Sequence, residues 1–104
     1  MVPGRRPIAV DLFAGAGGFA LGLEQAGFDV VVAVEYDAIH AAVHEFNFPR
    51  TEVLCADASK LSGEDLRAAV ARGVAKHGNE ASWGGEIDLV FGGPPCQGFS
   101  SGGK

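Results

Sequence analysis

The stretch IAVDLFAGAGGFA, residues 8–20, decides how this chain folds. Its first six residues are almost all apolar, which is typical of a short buried β-strand. Glycines then follow at Gly15, Gly17 and Gly18, and a helical pattern continues until Gly27, a residue type that commonly ends helices. A strand that passes through glycines into a helix opens an alternating α/β pattern.

The same alternation continues to the end of the chain. Further strands are predicted at 30–34, 52–55 and 87–91, and each is preceded by a helical segment. Such alternation predicts a Rossmann-like α/β fold in one domain, residues 1–104, with about four parallel strands, right-handed crossovers and flanking helices. Ligands of such sheets bind at the carboxyl ends of the strands. The polar residues expected along that edge are Asp11, Glu35, Asp57 and Cys96.

Two further helices have recognisable starts. Asp37 can cap a helix whose apolar positions follow the spacing of one buried face, and Pro49 closes that segment. Residues 62–65 resemble a capping box before another helix. The predicted buried positions are Ile39, Ala42, Val43 and Phe46 in the first helix and Leu66, Val70, Val74 and His77 in the second.

A second informative stretch is FGGPPCQGFS, residues 91–100. Glycines permit a sharp turn and the close approach of a ligand, and Pro94 and Pro95 hold the backbone extended and stiff. This places Cys96 on a rigid arm before a Gly/Ser segment, 98–104, that we expect to act as a flap. A free cysteine is usually a buried structural residue, but this setting favours a nucleophile presented to a bulky substrate.

Both stretches resemble motifs of the DNA (cytosine-5)-methyltransferases. The sequence GGPPCQGFS, residues 92–100, looks like the nucleophile motif of that family. Residues 11–19 are similar, nearly residue for residue, to its first S-adenosylmethionine motif, and residues 34–37 and 56–58 resemble its second and third. The resemblance implies the first part of an S-adenosylmethionine-dependent methyltransferase fold.

The resemblance also implies how the cofactor is held. Glu35 would accept hydrogen bonds from the ribose hydroxyls, Tyr36 would contact the adenine face, and Asp57 would accept from the adenine amino group. Carboxylates suit these roles because they are acceptor-only groups when ionised. The expected cofactor-binding residues are Asp11, Phe13, Ala14, Gly15, Gly17, Gly18, Phe19, Glu35, Tyr36, Asp57, Ala58 and Pro95.

By the same resemblance, Cys96 is the catalytic nucleophile. Its thiolate would add to carbon 6 of cytosine, so that carbon 5 becomes able to attack the methyl donor. The target base must leave the stack for this chemistry. The expected substrate-binding residues are Gln97, Gly98, Phe99 and Ser100.

Three other functions stay open from the residues. The spacing from Gly15 through Gly17 to Ala20, with Glu35 further on, also fits an NAD-binding oxidoreductase. That function does not explain residues 94–96. The methyltransferase family has a tRNA-modifying branch with a closely similar motif, and the chain could also be a non-catalytic remnant that binds cofactor or a partner.

The charge balance points to a missing part. Eight Lys and Arg against thirteen Asp and Glu give a net charge of −5, whereas a self-sufficient DNA-binding protein usually has a basic face. The family's Glu-Asn-Val motif, its Gln-x-Arg-x-Arg strand and its target-recognition region have no counterpart in these residues. We therefore expect a fragment or one subunit of a split enzyme, inactive alone. Its partners would be double-stranded DNA and the missing C-terminal portion or a complementary subunit.

Other residues carry weaker signals. His40 and His44 are spaced as in zinc sites but lack the glutamate of the HExxH motif, so an exposed helix face and no metal are expected. Cys55 reads as inert packing at the end of a core strand. Two cysteines make no disulfide framework, and residues 1–7 lead into no secretory signal. Together with the absence of a membrane-length apolar run, these features favour the cytoplasm.

Overall fold

Strands and helices alternate in the computed structural model, which describes residues 6–12, 18–78 and 80–92, with only the backbone of residues 18 and 19. The strands are β1 (Ile8–Asp11), β2 (Asp29–Glu35), β3 (Glu52–Cys55) and β4 (Leu89–Phe91). The helices are α1 (Gly18–Gln25), α2 (Ala38–Asn47) and α3 (Gly63–Lys76), with short 3₁₀ turns at Ala58–Lys60 and Glu80–Ser82. None of the helices in these ranges is long and apolar enough to cross a membrane.

The four strands form one parallel sheet in the order β3-β2-β1-β4. This confirms the predicted fold class. The central strands are buried along their length, which is why they read as continuous apolar runs rather than alternating ones. Strand order reverses between β1 and β4, since β2 and β3 lie on one side of β1 and β4 on the other. In an open parallel sheet, this reversal marks the ligand-binding crevice.

Helices cover both faces of the sheet. Ile8 and Val10 belong to an apolar cluster with α3, whereas Ala9 between them packs in a second cluster with Ala20 of α1. Successive strand residues point to opposite faces, so this division follows from the strand geometry. Gly27, at φ 107°, lies in the left-handed region and lets the chain leave α1 for β2, as predicted.

Helix α3 follows its sequence prediction closely. Its capping box is present: Asp65 N–H donates to Ser62 Oγ at 3.0 Å, and Ser62 N–H donates to Asp65 Oδ2 at 3.1 Å. Val70 and Val74 are fully buried on the predicted face. Gly73 lies against β2 so closely that a Cβ at this position would meet the Val31 carbonyl oxygen at 2.0 Å.

The predicted buried face of α2 is wrong. Ile39 and Phe46 are 74% and 86% exposed, and Val43 is also exposed, as is Ala42. The buried residues are Ala41 and His44. The expectation that both histidines lie on an exposed face is therefore wrong for His44 and confirmed for His40.

The reason for this difference lies in the composition of α2. Alanines and larger apolar residues occupy several sides of α2, so the spacing of its apolar residues does not by itself select one buried face. Packing against β2 and β3 favours the side with small Ala41, which allows a close approach. The His44 ring then lies against Phe48, with ring centroids 4.7 Å apart and planes tilted by 30°.

Candidate functional site

The two motif stretches leave the sheet from neighbouring strand ends. Asp11, the last residue of β1, pairs with Phe91, the last residue of β4. The Leu12 N–H also donates to the Phe91 carbonyl at 2.8 Å. The glycine-rich stretch after Leu12 and the Pro-Pro-Cys stretch after Gly92 therefore begin at the same place in the sheet. This is the place where the strand order reverses.

Most residues of these two stretches lie outside the described residues. Among them are the predicted site residues Phe13, Ala14, Gly15 and Gly17 of the first stretch, and Pro95, Cys96, Gln97, Gly98, Phe99 and Ser100 of the second. Gly18 and Phe19 form the first turn of α1. The predicted roles of all these residues stay predictions. Asp11 is described and is fully buried, which distinguishes it from the acidic residues at the ends of β2 and β3.

Glu35 ends β2 in a well-defined setting. Its side chain is 13% exposed, and its Oε2 accepts a hydrogen bond from the Asp37 backbone N–H at 2.8 Å. Its backbone carbonyl accepts from the Ala56 N–H at 3.0 Å, which continues the pairing of β2 with β3. Glu35 is therefore held by one hydrogen bond to its side chain and one to its backbone, at the carboxyl end of the sheet.

Asp57 presents a second carboxylate two residues after Glu35's strand partner Cys55. It caps the short turn that begins at Ala58, because its Oδ1 accepts from the Ser59 hydroxyl at 2.7 Å and from the Ser59 N–H at 3.0 Å. These two hydrogen bonds hold the pKa of Asp57 below its usual value. The group is thus an ionised acceptor at neutral pH.

Tyr36 lies between these two acidic groups in sequence and is 77% exposed. Its carbonyl oxygen lies 3.8 Å from Cys55 Sγ. The expectation that Cys55 is packed in the core is wrong, because this residue is exposed, whereas its inertness stays a prediction. Among the residues that the structure describes, β3 pairs with β2 only, and such an edge strand buries less of its last residue than a central one.

The structure thus brings three predicted cofactor-binding residues, Glu35, Tyr36 and Asp57, to one edge, with Ala58 beside them. Two carboxylate acceptors and an exposed aromatic ring suit a ligand that offers hydroxyl or amino donors and a flat ring system. Sequence reasoning missed the exposed Cys55 and the contact of Asp37 with Glu35. The N-cap pattern at Asp37 was a signal for the second, whereas the exposure of Cys55 depends on the order of the strands, for which the sequence carried no signal.

A separate cluster lies at the opposite, amino-terminal edge of the sheet. Among the described residues, Glu24, Asp29 and His77 bring possible metal-ligand atoms within 4.8 Å of one another. Arg6 Nε donates to Asp29 Oδ1 at 2.7 Å, and Arg6 Nη2 donates to the backbone carbonyls of Glu24 and Phe28. The positive guanidinium of Arg6 on the Asp29 carboxylate disfavours the binding of a metal cation at this cluster. Its hydrogen bonds instead join the start of β2 to α1.

Fold and site together define a Rossmann-like domain with acidic and aromatic side chains at the carboxyl ends of its parallel strands, the edge where ligands of such sheets bind. The sequence profile of one family, C-5 cytosine-specific DNA methylase, matches residues 8–104. The chain belongs to this family. Membership decides against the NAD-binding oxidoreductase that the glycine spacing alone left open.

Individual relatives agree with this membership. The chain is 50% identical over 99 residues to the Type II methyltransferase M.XorII of Xanthomonas oryzae pv. oryzae, covering 95% of this chain and 21% of that protein. It also resembles the crystal structure of a prophage-encoded E. coli protein described as a DNA modification methyltransferase. That match has a TM-score of 0.66 and 40% identity, and it covers 89% of this chain and 24% of that one.

A more distant structure shares the fold. The Spodoptera frugiperda protein DNMT2, solved as a mutant, matches with a TM-score of 0.64 and 23% identity over 94% of this chain and 25% of that one. The chain spans about a fifth to a third of the length of the curated relatives it matches.

Proposed function

We propose that the protein carrying this chain is a DNA (cytosine-5)-methyltransferase that uses S-adenosylmethionine. The observation that carries the proposal is the pairing of Asp11 with Phe91, from which the glycine-rich stretch and the Pro-Pro-Cys stretch both depart. The stretch that would hold the cofactor and the stretch that would carry the nucleophile therefore begin side by side at the sheet edge. Type II methyltransferases among the relatives support the same activity and a role in restriction–modification.

The described edge residues fit the adenosine part of this cofactor. Glu35 would accept from the two ribose hydroxyls, and its nearly buried carboxylate is already oriented by the Asp37 N–H. Tyr36 offers an exposed ring for one face of the adenine. Asp57, an acceptor held ionised by Ser59, would receive the adenine amino group next to the Ala58 backbone.

Cys96 would supply the covalent chemistry. Its thiolate adds to carbon 6 of a flipped cytosine, which forms a sulfur–carbon bond and moves the ring electrons towards carbon 5. When bound, S-adenosylmethionine would supply an electrophilic methyl group to carbon 5, and the broken sulfur–methyl bond would leave the neutral thioether S-adenosylhomocysteine. Loss of the proton from carbon 5 then expels the thiolate and restores the ring. Residues 97–100 would contact the flipped base, and Pro95 would lie towards the cofactor.

The acidic charge shapes the proposal about partners. With a net charge of −5, this part of the protein would attract duplex DNA poorly, because phosphate neutralisation supplies much of non-specific affinity. We therefore propose that a basic, target-reading part lies on a C-terminal portion or on a complementary subunit. The complete enzyme would act on double-stranded DNA in the cytoplasm.

The test is transfer of labelled methyl groups by the complete native enzyme. Purified enzyme is incubated with labelled S-adenosylmethionine and either genomic DNA of another organism or bulk tRNA. We expect label in 5-methylcytosine of DNA, and at least a thousandfold loss of rate with Cys96→Ser, the order expected when a catalytic nucleophile is removed. Label confined to tRNA would assign the RNA-modifying branch. Unchanged activity in Cys96→Ser would exclude the nucleophile, and no transfer to either substrate would favour the remnant.

A further inference from the structure

We infer that Asp37 is a positioning residue that holds the Glu35 carboxylate in the orientation required for the ribose hydroxyls. The inference rests on the proposed function, which assigns Glu35 to the ribose. It concerns a residue that makes no proposed contact with the cofactor. The geometry that points to it is a series of hydrogen bonds that join the end of β2 to the start of α2 through Asp37.

The first part of this geometry is the helix cap. Asp37 has an extended backbone, at φ −81° and ψ 125°, and its Oδ1 accepts from the Ile39 N–H at 2.9 Å and the His40 N–H at 3.1 Å. These backbone hydrogen bonds, with that of His40 the larger effect, hold the pKa of Asp37 below its usual value. The cap is therefore ionised and at full strength at neutral pH.

The second part links the cap to Glu35. The N–H of the capping residue itself donates to Glu35 Oε2 at 2.8 Å, and His40 Nδ1 lies 4.0 Å from the same oxygen. The Asp37 side chain fixes its own backbone against the first turn of α2, so it also fixes the direction of the N–H that orients Glu35. Loss of the side chain would leave that N–H to move with a fraying helix end.

Orientation matters because hydrogen bonds to vicinal hydroxyls are directional. A carboxylate whose plane is already fixed binds the diol without first losing its rotational freedom, and such preorganisation contributes affinity. The expected signature is specific. Loss of Asp37 should reduce the preference for a ribose over a deoxyribose, whereas general loosening of the domain would weaken both ligands alike.

The experiment measures this preference in the complete native enzyme. Calorimetry gives the Kd of S-adenosylhomocysteine and of its 2′-deoxyribose analogue. We expect the wild type to prefer the ribose form by roughly tenfold, the value of one good hydrogen bond. Asp37→Ala should lower this ratio at least threefold, and Asp37→Asn should preserve it because asparagine also caps helices through its side-chain oxygen.

Two controls separate positioning from stability. Ser62→Ala removes the equivalent cap of α3, whose hydrogen bonds join Ser62 to Asp65 within its own first turn, and should leave the ratio unchanged. If Asp37→Ala does not fold, Asp37→Gly replaces it, since glycine at an N-cap costs little stability. Glu35→Ala removes the proposed ribose acceptor, so it tests the underlying assignment and should bring the ratio close to one.

The outcomes distinguish the two hypotheses. An unchanged ratio in Glu35→Ala would overturn the ribose assignment itself. A collapsed ratio in Glu35→Ala with an unchanged ratio in Asp37→Ala, or in Asp37→Gly where that variant replaces it, would overturn the positioning role alone. A lowered ratio in Asp37→Ala that Asp37→Asn restores, and that Ser62→Ala does not reproduce, would support it.

Discussion

At the scale of single residues, Gly73 sets the distance between α3 and the sheet. A Cβ at this position would lie 2.0 Å from the Val31 carbonyl oxygen and 2.9 Å from Val31 Cβ. Because these atoms belong to the central strand β2, they cannot move aside without disturbing the sheet. The glycine is therefore needed for close packing, and its conformational freedom is not the reason.

We predict that Gly73→Ala lowers the free energy of unfolding by at least about 2 kcal/mol, as expected when extra volume is forced into a packed core. Urea denaturation followed by circular dichroism measures this loss. Gly22→Ala is the matched control, because a Cβ at Gly22 in α1 meets nothing within 4 Å. It should be neutral or stabilising by about 0.5–1 kcal/mol. Equal stability of the two variants would contradict the proposed close packing.

Single residues also show where sequence reasoning was sufficient. The caps at Asp37 and Ser62 were predicted from residue type and spacing, and both are present. Such hydrogen bonds join residues two or three positions apart, so residue type and spacing are enough to predict them. The exposure of Cys55 was missed because it depends on β3 being an edge strand, which is a property of the sheet order.

At the scale of elements, α2 shows which features of a helix the local sequence determines and which depend on tertiary packing. Its existence and its start could be predicted, but its buried face could not. Apolar residues lie on several sides of the helix, and only its packing on β2 and β3 shows that Ala41 faces the sheet while Phe46 faces outward.

A pair of substitutions tests this orientation of α2. Phe46→Ser should change the free energy of unfolding by no more than about 0.5 kcal/mol, since exposed positions usually tolerate substitution. Ala41→Asp should destabilise strongly, by more than about 3 kcal/mol, because it would bury an unpaired charge. Thermal and urea unfolding provide both values. A large loss for Phe46→Ser with a small one for Ala41→Asp would mean that the face predicted from periodicity is the buried one.

A second element-scale contact joins β3 to α3. Glu52 at the start of β3 accepts from Arg72 at 2.7 Å and forms an ion pair with Lys76 at 2.8 Å. Burial opposes the charged form of Glu52, but the hydrogen bonds from Lys76 and Arg72 outweigh this effect and lower its pKa below the ordinary value of 4.5. The native state therefore favours the ionised carboxylate.

This pKa shift predicts a pH dependence with a definite sign. A carboxylate with a lowered pKa in the folded state stabilises the protein above its unfolded pKa, and that stabilisation is lost as the pH falls through the folded pKa. Glu52→Gln should therefore cost about 1 kcal/mol at neutral pH, and its difference from the wild type should shrink below pH 4.5. Urea titrations at several pH values measure it. A difference that stays constant down to strongly acidic pH would contradict the assignment.

At the scale of the whole molecule, alternation of strands and helices was enough to predict a parallel sheet. The order β3-β2-β1-β4 was not predicted, because periodicity does not say which strands are neighbours. That order places the starts of the two motif stretches side by side. The residues that define the proposed chemistry, Cys96 above all, lie outside the described residues, so their roles came from the local sequence around them and from motif resemblance.

The sheet also predicts how a polypeptide of these 104 residues behaves by itself. Within the described residues, β4 pairs with β1 only, and its Val90 is half exposed. An open strand edge of this kind favours association, and the net charge of −5 disfavours DNA binding. We expect no detectable methyl transfer to DNA in an assay that detects the complete enzyme. Robust transfer by the 104 residues alone would contradict this expectation.

The central claim is that Cys96 forms a covalent bond to a cytosine in DNA, and covalent trapping tests it most directly. Genomic fragments copied with 5-fluorodeoxycytidine are incubated with the complete enzyme and S-adenosylmethionine. Fluorine at carbon 5 leaves no proton to remove, so the thiolate cannot be expelled after methyl transfer. Mass spectrometry of the digested complex should find one modified peptide, linked to DNA through Cys96, and Cys96→Ser should give none. A link through another residue, or a full yield of complex from Cys96→Ser, would contradict the assignment.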